Sequence, residues 1–255
     1  MKKLLSLLLF LILGHGGWAD VLVAAAASTK FAMEEIASQY EKQIGLRVKL
    51  VFGSSGQFYS QIMQGAPFDI FLAADEDSVL RLAQSKGTDQ GMVYAEGKTV
   101  LVWPKSMSQT LKPVSTAPLD IVKTLLEAKK IRRFAIANPE HAPYGKAAVQ
   151  ILESVGLWEA IQPVLVYGEN VSQTAQFAVS GSVQAAIVAY SLVLSPNLNP
   201  LVDYIHLPKH LHEPLLQRMV RLTENSSSKN FYEYLISKQA GLVFVKHGFL
   251  SPFVK

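Results

Sequence analysis

The sequence lacks cysteine altogether, since none of its 255 residues is one. Disulfide bonds are therefore excluded, and a chain of this length can fold without them because its core is large. After Ala19 the sequence also lacks any apolar run long enough to cross a bilayer. The formal net charge is only +4, which is too small and too dispersed to indicate binding to nucleic acid or to a membrane.

Residues 1–19 have the pattern of a secretory signal peptide. Residues 1–3 (MKK) are a positively charged start, residues 4–13 are an apolar run, and residues 17–19 (GWA) place small side chains before a cleavage site. Cleavage after Ala19 removes two lysines and lowers the net charge to about +2. A bacterial lipid anchor needs a cysteine at the mature start, so we expect a mature protein that is free in the periplasm.

Two apolar segments end in serine at the point where a helical pattern begins. Residues 21–27 and 48–52 have the character of buried strands, and Ser28 and Ser55 stand where the following helices start. The free N–H groups at a helix start, together with the positive end of the helix dipole, form a site for anions. The pair therefore indicates a protein that surrounds a small oxyanion without using a counter-charge.

Serine at a helix start also has a purely structural explanation, because its oxygen can cap a backbone N–H. Ser54 has Gln57 three residues further on, which is the spacing of a capping box. We therefore expect Ser54 to cap the second helix, which leaves the hydroxyl and the N–H of Ser55 free for a ligand.

The rest of the chain alternates between strands and helices. Further strands are predicted at residues 68–72, 98–103, 133–136, 164–166, 185–188 and 215–222. Further helices are predicted from Asp75 to about Gln84, from Tyr144 through Leu152, from Asn170 to near Gly181, and after residues 226–228. This alternation and the length predict two α/β domains with mostly parallel sheets, which bind ligands at the carboxyl ends of their strands.

Two later helix starts match the first pair. Residues 170–173 (NVSQ) have capping-box spacing, which leaves the amide of Val171 near the tip of the helix. Tyr144 stands in a tight Pro-Tyr-Gly turn into another helix, where its phenol is a neutral donor. We predict a cleft between two lobes in which Val171 and Tyr144 face Ser28 and Ser55.

Several short segments together resemble the periplasmic molybdate-binding proteins of ABC importers. They are residues 25–28 (AAAS), 52–55 (FGSS), 65–69 (GAPFD), 138–143 (NPEHAP) and 187–190 (IVAY). The likeness covers essentially the whole chain after the signal peptide. It implies an α/β fold of the type II (Venus-flytrap) periplasmic-binding-protein class, a two-lobed clamshell of mostly parallel sheets flanked by helices. We place lobe I at residues 20–98 and 215–255, and lobe II at residues 99–214.

The resemblance also implies which residues bind the anion. By position, the ligands are Ser28, Ser55 and the main-chain N–H of Val171, with Tyr144 as a fourth through its amide or its hydroxyl. The anion is molybdate, and usually tungstate as well, with no additional cofactor. The protein then acts as a monomer that delivers its anion to a permease in the inner membrane.

One position departs from the family pattern. In some members a tyrosine on the last strand of the second lobe donates to the ligand, but here that spacing falls on Ala189, and Tyr190 comes one place later. A shift of one residue along a strand turns the side chain to the opposite face. We therefore favour Tyr144 over Tyr190 as the phenol donor.

The chemistry of the donors leaves the choice of oxyanion open. A fully ionised tetrahedral oxyanion only accepts hydrogen bonds, whereas phosphate that keeps a proton needs an acceptor, and no carboxylate lies in the proposed loops. Sulfate and molybdate differ in size rather than in hydrogen bonding, so the residues alone do not separate them. The family resemblance is what favours molybdate.

Two other classes of protein remain as alternatives to a binding protein for an oxyanion. An enzyme is not expected, because residues 53–57 (GSSGQ) lack the spacing of a nucleophile elbow and no Walker loop is present. An exported metal-binding protein is the remaining alternative, since His206, His210 and His212 lie close together in the sequence. Their loop is polar, however, and no second group of ligands completes a site.

Overall fold

The computed structural model describes residues 20–112 and 117–254. The predicted signal peptide, residues 1–19, lies outside the described residues. Within the described ranges no helix is both long enough and apolar enough to span a membrane.

The strands and helices follow one another along the whole described chain. The strands are β1 (Val21–Ala26), β2 (Val48–Gly53), β3 (Ile70–Leu72), β4 (Met92–Gly97), β5 (Thr99–Pro104), β6 (Phe134–Ala137), β7 (Leu165–Gly168), β8 (Ala185–Ala189), β9 (Val202–His206) and β10 (Leu215–Arg221). The helices are α1 (Lys30–Ile44), α2 (Ser55–Met63), α3 (Asp77–Lys86), α4 (Asp120–Glu127), α5 (Pro143–Ser154), α6 (Trp158–Ile161), α7 (Val171–Val179), α8 (Tyr190–Val193), α9 (Ser226–Leu235) and α10 (Lys238–Lys246).

The strands form two mixed sheets. The first has the order β2-β1-β3-β10-β4 and the second has the order β7-β6-β8-β5-β9. In the first sheet β1, β2 and β3 are parallel, and β10 runs antiparallel to both of its neighbours. In the second, β6, β7 and β8 are parallel, and β5 runs antiparallel to both of its neighbours. The predicted two-lobed α/β fold is confirmed, with four of the eight strand pairs parallel, which is half and not the expected majority.

We call the first sheet with its packed helices lobe I, and the second sheet with its helices lobe II. The chain passes from the first sheet to the second between β4 and β5, and it returns between β9 and β10. The residue bounds given above for the two lobes stay a prediction.

Each sheet is covered on both faces by apolar side chains. In lobe I, Met33 and Ile36 of α1 pack with Phe231 and Phe244 on one face, and α2 and α3 cover the other. In lobe II, one core lies under α4, α5 and α6, and the other lies under α7 and α8. That second core also includes Ala26, Ala27 and Ala74 of lobe I, so the apolar packing is continuous from one lobe to the other.

The register of the strands positions the site. Ala26 of β1 pairs with Gly53 of β2, so these strands end level and the helices after them start side by side. In lobe II, Ala137 of β6 pairs with Gly168 of β7 in the same way. Because parallel strands carry their carboxyl ends to one edge, each lobe presents two helix starts at the edge that faces the other lobe.

Some elements differ from the sequence-based expectations. The predicted strands are present with shifts of one or two residues at their ends, but β4, β9, α4, α6 and α8 were not predicted. β9 is an edge strand with mostly half-buried residues, so it lacks the apolar run that marks a buried strand. The helix expected to begin at Asp75 begins at Asp77, because the carboxylate of Asp75 accepts a hydrogen bond from the N–H of Ser78.

Candidate functional site

Helix starts from both lobes converge on a small cavity. Ser28 lies in a 3-10 turn, Ala27–Thr29, that leads into α1, and Ser55 is the first residue of α2. From lobe II, Tyr144 is the second residue of α5 and Val171 is the first of α7. The structure thus brings together the residues predicted as ligands from four separate stretches of sequence.

The cavity is small and its walls are uncharged. Lobe I contributes Ala26, Ala27, Ser28, Gly53, Ser54, Ser55 and Ala74, and lobe II contributes Ala142, Pro143, Tyr144, Asn170 and Val171. The space suits one compact group and not an extended organic solute. None of the predicted ligands Ser28, Ser55, Tyr144 and Val171 is more than 4% exposed, so the lobes are closed over this space.

The two serines have different surroundings. The Oγ of Ser55 accepts a hydrogen bond of 2.8 Å from the N–H of Ala74, which leaves the hydroxyl proton of Ser55 free to be donated. The carbonyl of Ser28 accepts a 2.7 Å bond from the hydroxyl of Ser191, which fixes the turn before α1 against lobe II. The Oγ of Ser28 lies 3.5 Å from the amide nitrogen of Gln217.

The expectation that the Ser54 side chain caps α2 is wrong. Ser54 does occupy the N-cap position, but its hydroxyl makes no capping bond. Its Oγ instead lies 2.8 Å from Nδ1 of His141, a residue of lobe II. A partner so distant in the sequence competes with the local cap, and Ser54 therefore joins the two lobes at the cavity wall.

Tyr144 brings a neutral phenol into the cavity. Burial raises the pKa of this phenol well above its ordinary value, although hydrogen bonds with Ser28 and Gln217 partly oppose the shift. The hydroxyl therefore keeps its proton at neutral pH. It also lies very close to the backbone, because a Cβ on Gly97 would stand 2.1 Å from it. Only glycine at that position leaves room for the phenol.

The start of α7 is capped as predicted. The side-chain oxygen of Asn170 accepts bonds from the N–H groups of Ser172 at 3.0 Å and Gln173 at 3.1 Å. The N–H of Val171 precedes these in the first turn, where a helix offers no acceptor of its own. Gln173 does not complete a capping box, because its side chain accepts from the N–H of Glu169, the residue before the cap.

Tyr190 does not join the other candidates. β8 ends at Ala189, and Tyr190 begins α8 outside the walls of the cavity. Its ring packs against those of Tyr204 and His206, with centroids 5.7 and 4.4 Å away. The change from strand to helix at Ala189 turns this phenol away, so Tyr144 supplies the phenol at the cavity.

The rim of the cavity carries polar contacts between the lobes. The N–H of Gly56 in α2 donates to the carbonyl of His141 at 2.9 Å. The amide of Gln57, also in α2, donates to the carboxylate of Glu169 at 2.9 Å. His141 therefore contacts lobe I twice, through Nδ1 with the hydroxyl of Ser54 and through its carbonyl with the N–H of Gly56.

Sequence reasoning missed one buried polar residue behind the cavity, Gln217 on β10. Its amide nitrogen lies 3.3 Å from the hydroxyl of Tyr144 and 3.5 Å from that of Ser28. A glutamine inside an otherwise apolar strand is a detectable signal, because an unpaired amide is costly to bury. The sequence did not show which groups it would meet.

The histidines considered as metal ligands lie in separate surroundings. His206 ends β9 against the ring of Tyr190, and Nε2 of His212 lies 3.1 Å from the hydroxyl of Thr99. Across residues 20–112 and 117–254, no group of three or more histidines and acids is arranged to hold a metal ion.

A serine hydrolase needs a base beside its serine, and the contact between Ser54 and His141 provides one that the sequence alone did not reveal. It does not make a hydrolytic site by itself. Ser54 faces a small cavity that suits one compact group and leaves no room for an ester. The nearest acid, Glu169, stands 3.7 Å from Nε2 of His141 with two-thirds of its side chain exposed. What the cavity offers is a set of hydroxyl and N–H donors at the positive ends of helices, which suits a small, fully ionised oxyanion.

Comparison with known proteins places the chain among binding proteins. The family model of the bacterial extracellular solute-binding proteins matches residues 21–250. The molybdate-binding protein ModA of Azotobacter vinelandii is 38% identical over 236 residues, which cover 91% of this chain and 90% of that protein. The molybdate-binding protein ModA of Rhodobacter capsulatus is 32% identical, over 91% of this chain and 88% of that protein. The solved structure of the periplasmic molybdate-binding protein of Azotobacter vinelandii matches with a TM-score of 0.78 at 26% identity, over 91% of this chain and 100% of that one.

Proposed function

Because this chain belongs to the bacterial extracellular solute-binding proteins, within the group that contains the molybdate-binding proteins, we propose that it binds molybdate and delivers it to an ABC importer. The small cavity, lined by buried hydrogen-bond donors and by no charged side chain, carries this proposal. Molybdate is a dianion whose four oxygens only accept hydrogen bonds. Hydroxyls and amide N–H groups from both lobes can meet those oxygens without a competing carboxylate.

The proposed ligands divide between the lobes. Ser28 and Ser55 donate from lobe I, while Tyr144 and the main-chain N–H of Val171 donate from lobe II. The anion is therefore bound fully only when the lobes are closed. Ligand contacts made by both lobes favour the closed form over the open one, which is how hinge closure is coupled to binding.

The role of the protein is transport and not catalysis. It acts in the periplasm as a monomer, captures molybdate or tungstate, and presents the closed complex to a membrane permease. No cofactor is required, because the oxyanion itself is the cargo. Sulfate is the alternative ligand, since the same donors suit it and only the size of the cavity separates the two anions.

A titration series tests the proposal. The mature protein is heated with increasing concentrations of molybdate, tungstate, sulfate or phosphate, and the midpoint of unfolding is followed. A ligand at about 100 times its Kd stabilises the folded state by about 2.7 kcal/mol. We expect molybdate and tungstate to raise the midpoint at far lower concentrations than sulfate. Stabilisation by sulfate and not by molybdate would overturn the assignment of the anion and leave the oxyanion site intact.

A further inference from the structure

Gln217 is a fully buried amide on β10, a strand whose other inward-facing side chains are largely apolar. The neighbouring inward residues Leu215 and Met219 are buried apolar side chains. The pairing of β10 with β4 shifts between Gln217 and Arg218, and such a bulge re-aims a side chain. Burial of an amide is unfavourable unless its oxygen and its N–H groups find partners. Its partners therefore indicate why a glutamine stands here.

Those partners divide cleanly between the two ends of the amide. The oxygen of Gln217 accepts a 2.9 Å bond from the hydroxyl of Tyr94, another residue of lobe I. The nitrogen lies 3.3 Å from the hydroxyl of Tyr144 and 3.5 Å from that of Ser28. An amide nitrogen only donates, so the hydroxyls of Ser28 and Tyr144 each accept an N–H from Gln217.

The direction of these bonds determines what the hydroxyls can offer a ligand. A hydroxyl has one proton to donate and lone pairs that accept. When the N–H groups of Gln217 occupy lone pairs of Ser28 and Tyr144, the hydroxyl protons are directed away from Gln217, and an anion can receive them in exchange for the hydrogen bond between the two hydroxyls. Ser55 is held in the same way, because its Oγ accepts from the N–H of Ala74. Each hydroxyl of the proposed site thus accepts a hydrogen bond from an N–H of lobe I.

We propose that Gln217 is a positioning residue that makes the site selective against oxyanions that carry a proton. It holds Ser28 and Tyr144 as donors, so a ligand O–H such as that of hydrogenphosphate meets no acceptor there. The inference rests on the proposed function only in taking this cavity as the anion site, and it does not require that the anion be molybdate. Since Gln217 belongs to lobe I and Tyr144 to lobe II, the arrangement is complete only in the closed form.

Gln217→Met tests this role. Methionine is close to glutamine in shape and has no N–H, and Tyr94 keeps an acceptor because its hydroxyl also lies 3.1 Å from the carbonyl of Ala73. Dissociation constants are measured for molybdate, sulfate and hydrogenphosphate by competition, at a pH where phosphate is mainly a dianion. Sulfate and hydrogenphosphate then have the same charge and nearly the same size, and they differ in one proton.

We expect the preference for sulfate over hydrogenphosphate to fall by about tenfold or more in Gln217→Met, the scale of one hydrogen bond. The preference for molybdate over sulfate depends on size and should stay unchanged. If hydrogenphosphate does not displace molybdate from the unaltered protein, it must do so at a measurable concentration in the variant. Met219→Leu, a buried change on the same strand, is the control that should leave both preferences as they are.

Two results would overturn the proposal. One is an equal loss of affinity for all three anions, which would make Gln217 a merely structural residue. The other is an unaltered protein that binds hydrogenphosphate as well as sulfate. An unaltered protein that binds sulfate and not molybdate would contradict the proposed function instead, and the comparison of sulfate with hydrogenphosphate would still decide the role of Gln217. Tyr94→Phe provides a second variant, because it frees the amide to turn and should shift the same preference in the same direction.

Discussion

Nδ1 of His141 in lobe II lies 2.8 Å from the hydroxyl of Ser54 in lobe I. The backbone around this pair is equally close, since the N–H of Gly56 donates to the carbonyl of His141 and a Cβ on Gly56 would stand 2.8 Å from that oxygen. These contacts lie at the edge of the cavity and not among the proposed donors to the anion. They therefore stabilise the closed arrangement of the lobes without touching the ligand.

His141→Ala should speed the release of the anion. The substitution removes one hydrogen bond that exists only when the lobes are closed, and such a bond contributes about 0.5–1.5 kcal/mol. We expect molybdate to dissociate about 2 to 10 times faster, with a smaller change in the association rate. Stopped-flow measurements of binding and release check this. Glu140→Ala, at the exposed neighbouring residue, serves as the control, and equal release rates for both variants would contradict a role of His141 in closure.

Ser55→Ala should weaken anion binding while the protein remains folded. In the closed form the hydroxyl of Ser55 accepts a hydrogen bond from Ala74 and donates none to the described residues. We therefore assign its proton to the anion. Loss of a hydrogen bond to a charged group costs about 1–3 kcal/mol, which raises Kd by about 5 to 150 times. Calorimetric titration with molybdate measures the change. Ser60→Ala, at an exposed position of the same helix, is the matched control, and an unchanged Kd in Ser55→Ala would remove Ser55 from the site.

Gly97→Ala should act through the phenol of Tyr144. The added Cβ would stand 2.1 Å from that hydroxyl and 2.8 Å from the amide nitrogen of Gln217, and the ring that carries the hydroxyl is buried. We expect a Kd for molybdate that is higher by about tenfold or more, the effect of misplacing one donor. A double-mutant cycle with Tyr144→Phe identifies the route, because the effect of Gly97→Ala should shrink once the hydroxyl is absent. Fully additive effects of the two changes would show that Gly97 acts elsewhere.

The accuracy of the sequence-based expectations depended on how local each contact is. The cap at Asn170 was predicted correctly because donors and acceptor lie within three residues of each other. The cap assigned to Ser54 was wrong because its hydroxyl finds a partner 87 residues away. The place of Gln217 behind Ser28 joins residues 189 apart, through a bulge that no local pattern reveals. Strand ends and helix starts could be located from periodicity, whereas the pairing of their polar groups across the lobes could not.

Two substitutions at Asn170 should separate the stability of α7 from the binding of the anion. Asn170→Ala removes the side-chain cap and should lower the free energy of unfolding by about 0.5–2 kcal/mol. Asn170→Asp keeps a capping oxygen, so stability without ligand should be close to that of the unaltered protein. The new carboxylate lines the cavity, however, and should raise the Kd for a dianion by about tenfold or more through repulsion.

Urea unfolding without ligand and calorimetry with molybdate measure the two quantities at Asn170. If Asn170→Asp bound molybdate as tightly as the unaltered protein, the anion could not lie at the start of α7. If Asn170→Ala unfolded at the same urea concentration as the unaltered protein, the cap would contribute nothing to stability.

The affinity for molybdate should not fall as the pH passes through the range in which tyrosine ordinarily ionises. An unperturbed phenol loses its proton near pH 10, and a phenolate in the cavity would repel the anion and could no longer donate. Burial raises the pKa of Tyr144 well above that value, so the neutral donor persists. We expect the contribution of the hydroxyl, measured as the ratio of Kd between Tyr144→Phe and the unaltered protein, to be equal at neutral pH and at pH about 10. The ratio cancels the titration of groups that both proteins share, such as surface lysines. A ratio that declines toward one as the pH rises would mean that the phenol ionises with an ordinary pKa, and hence that the cavity opens to water around it.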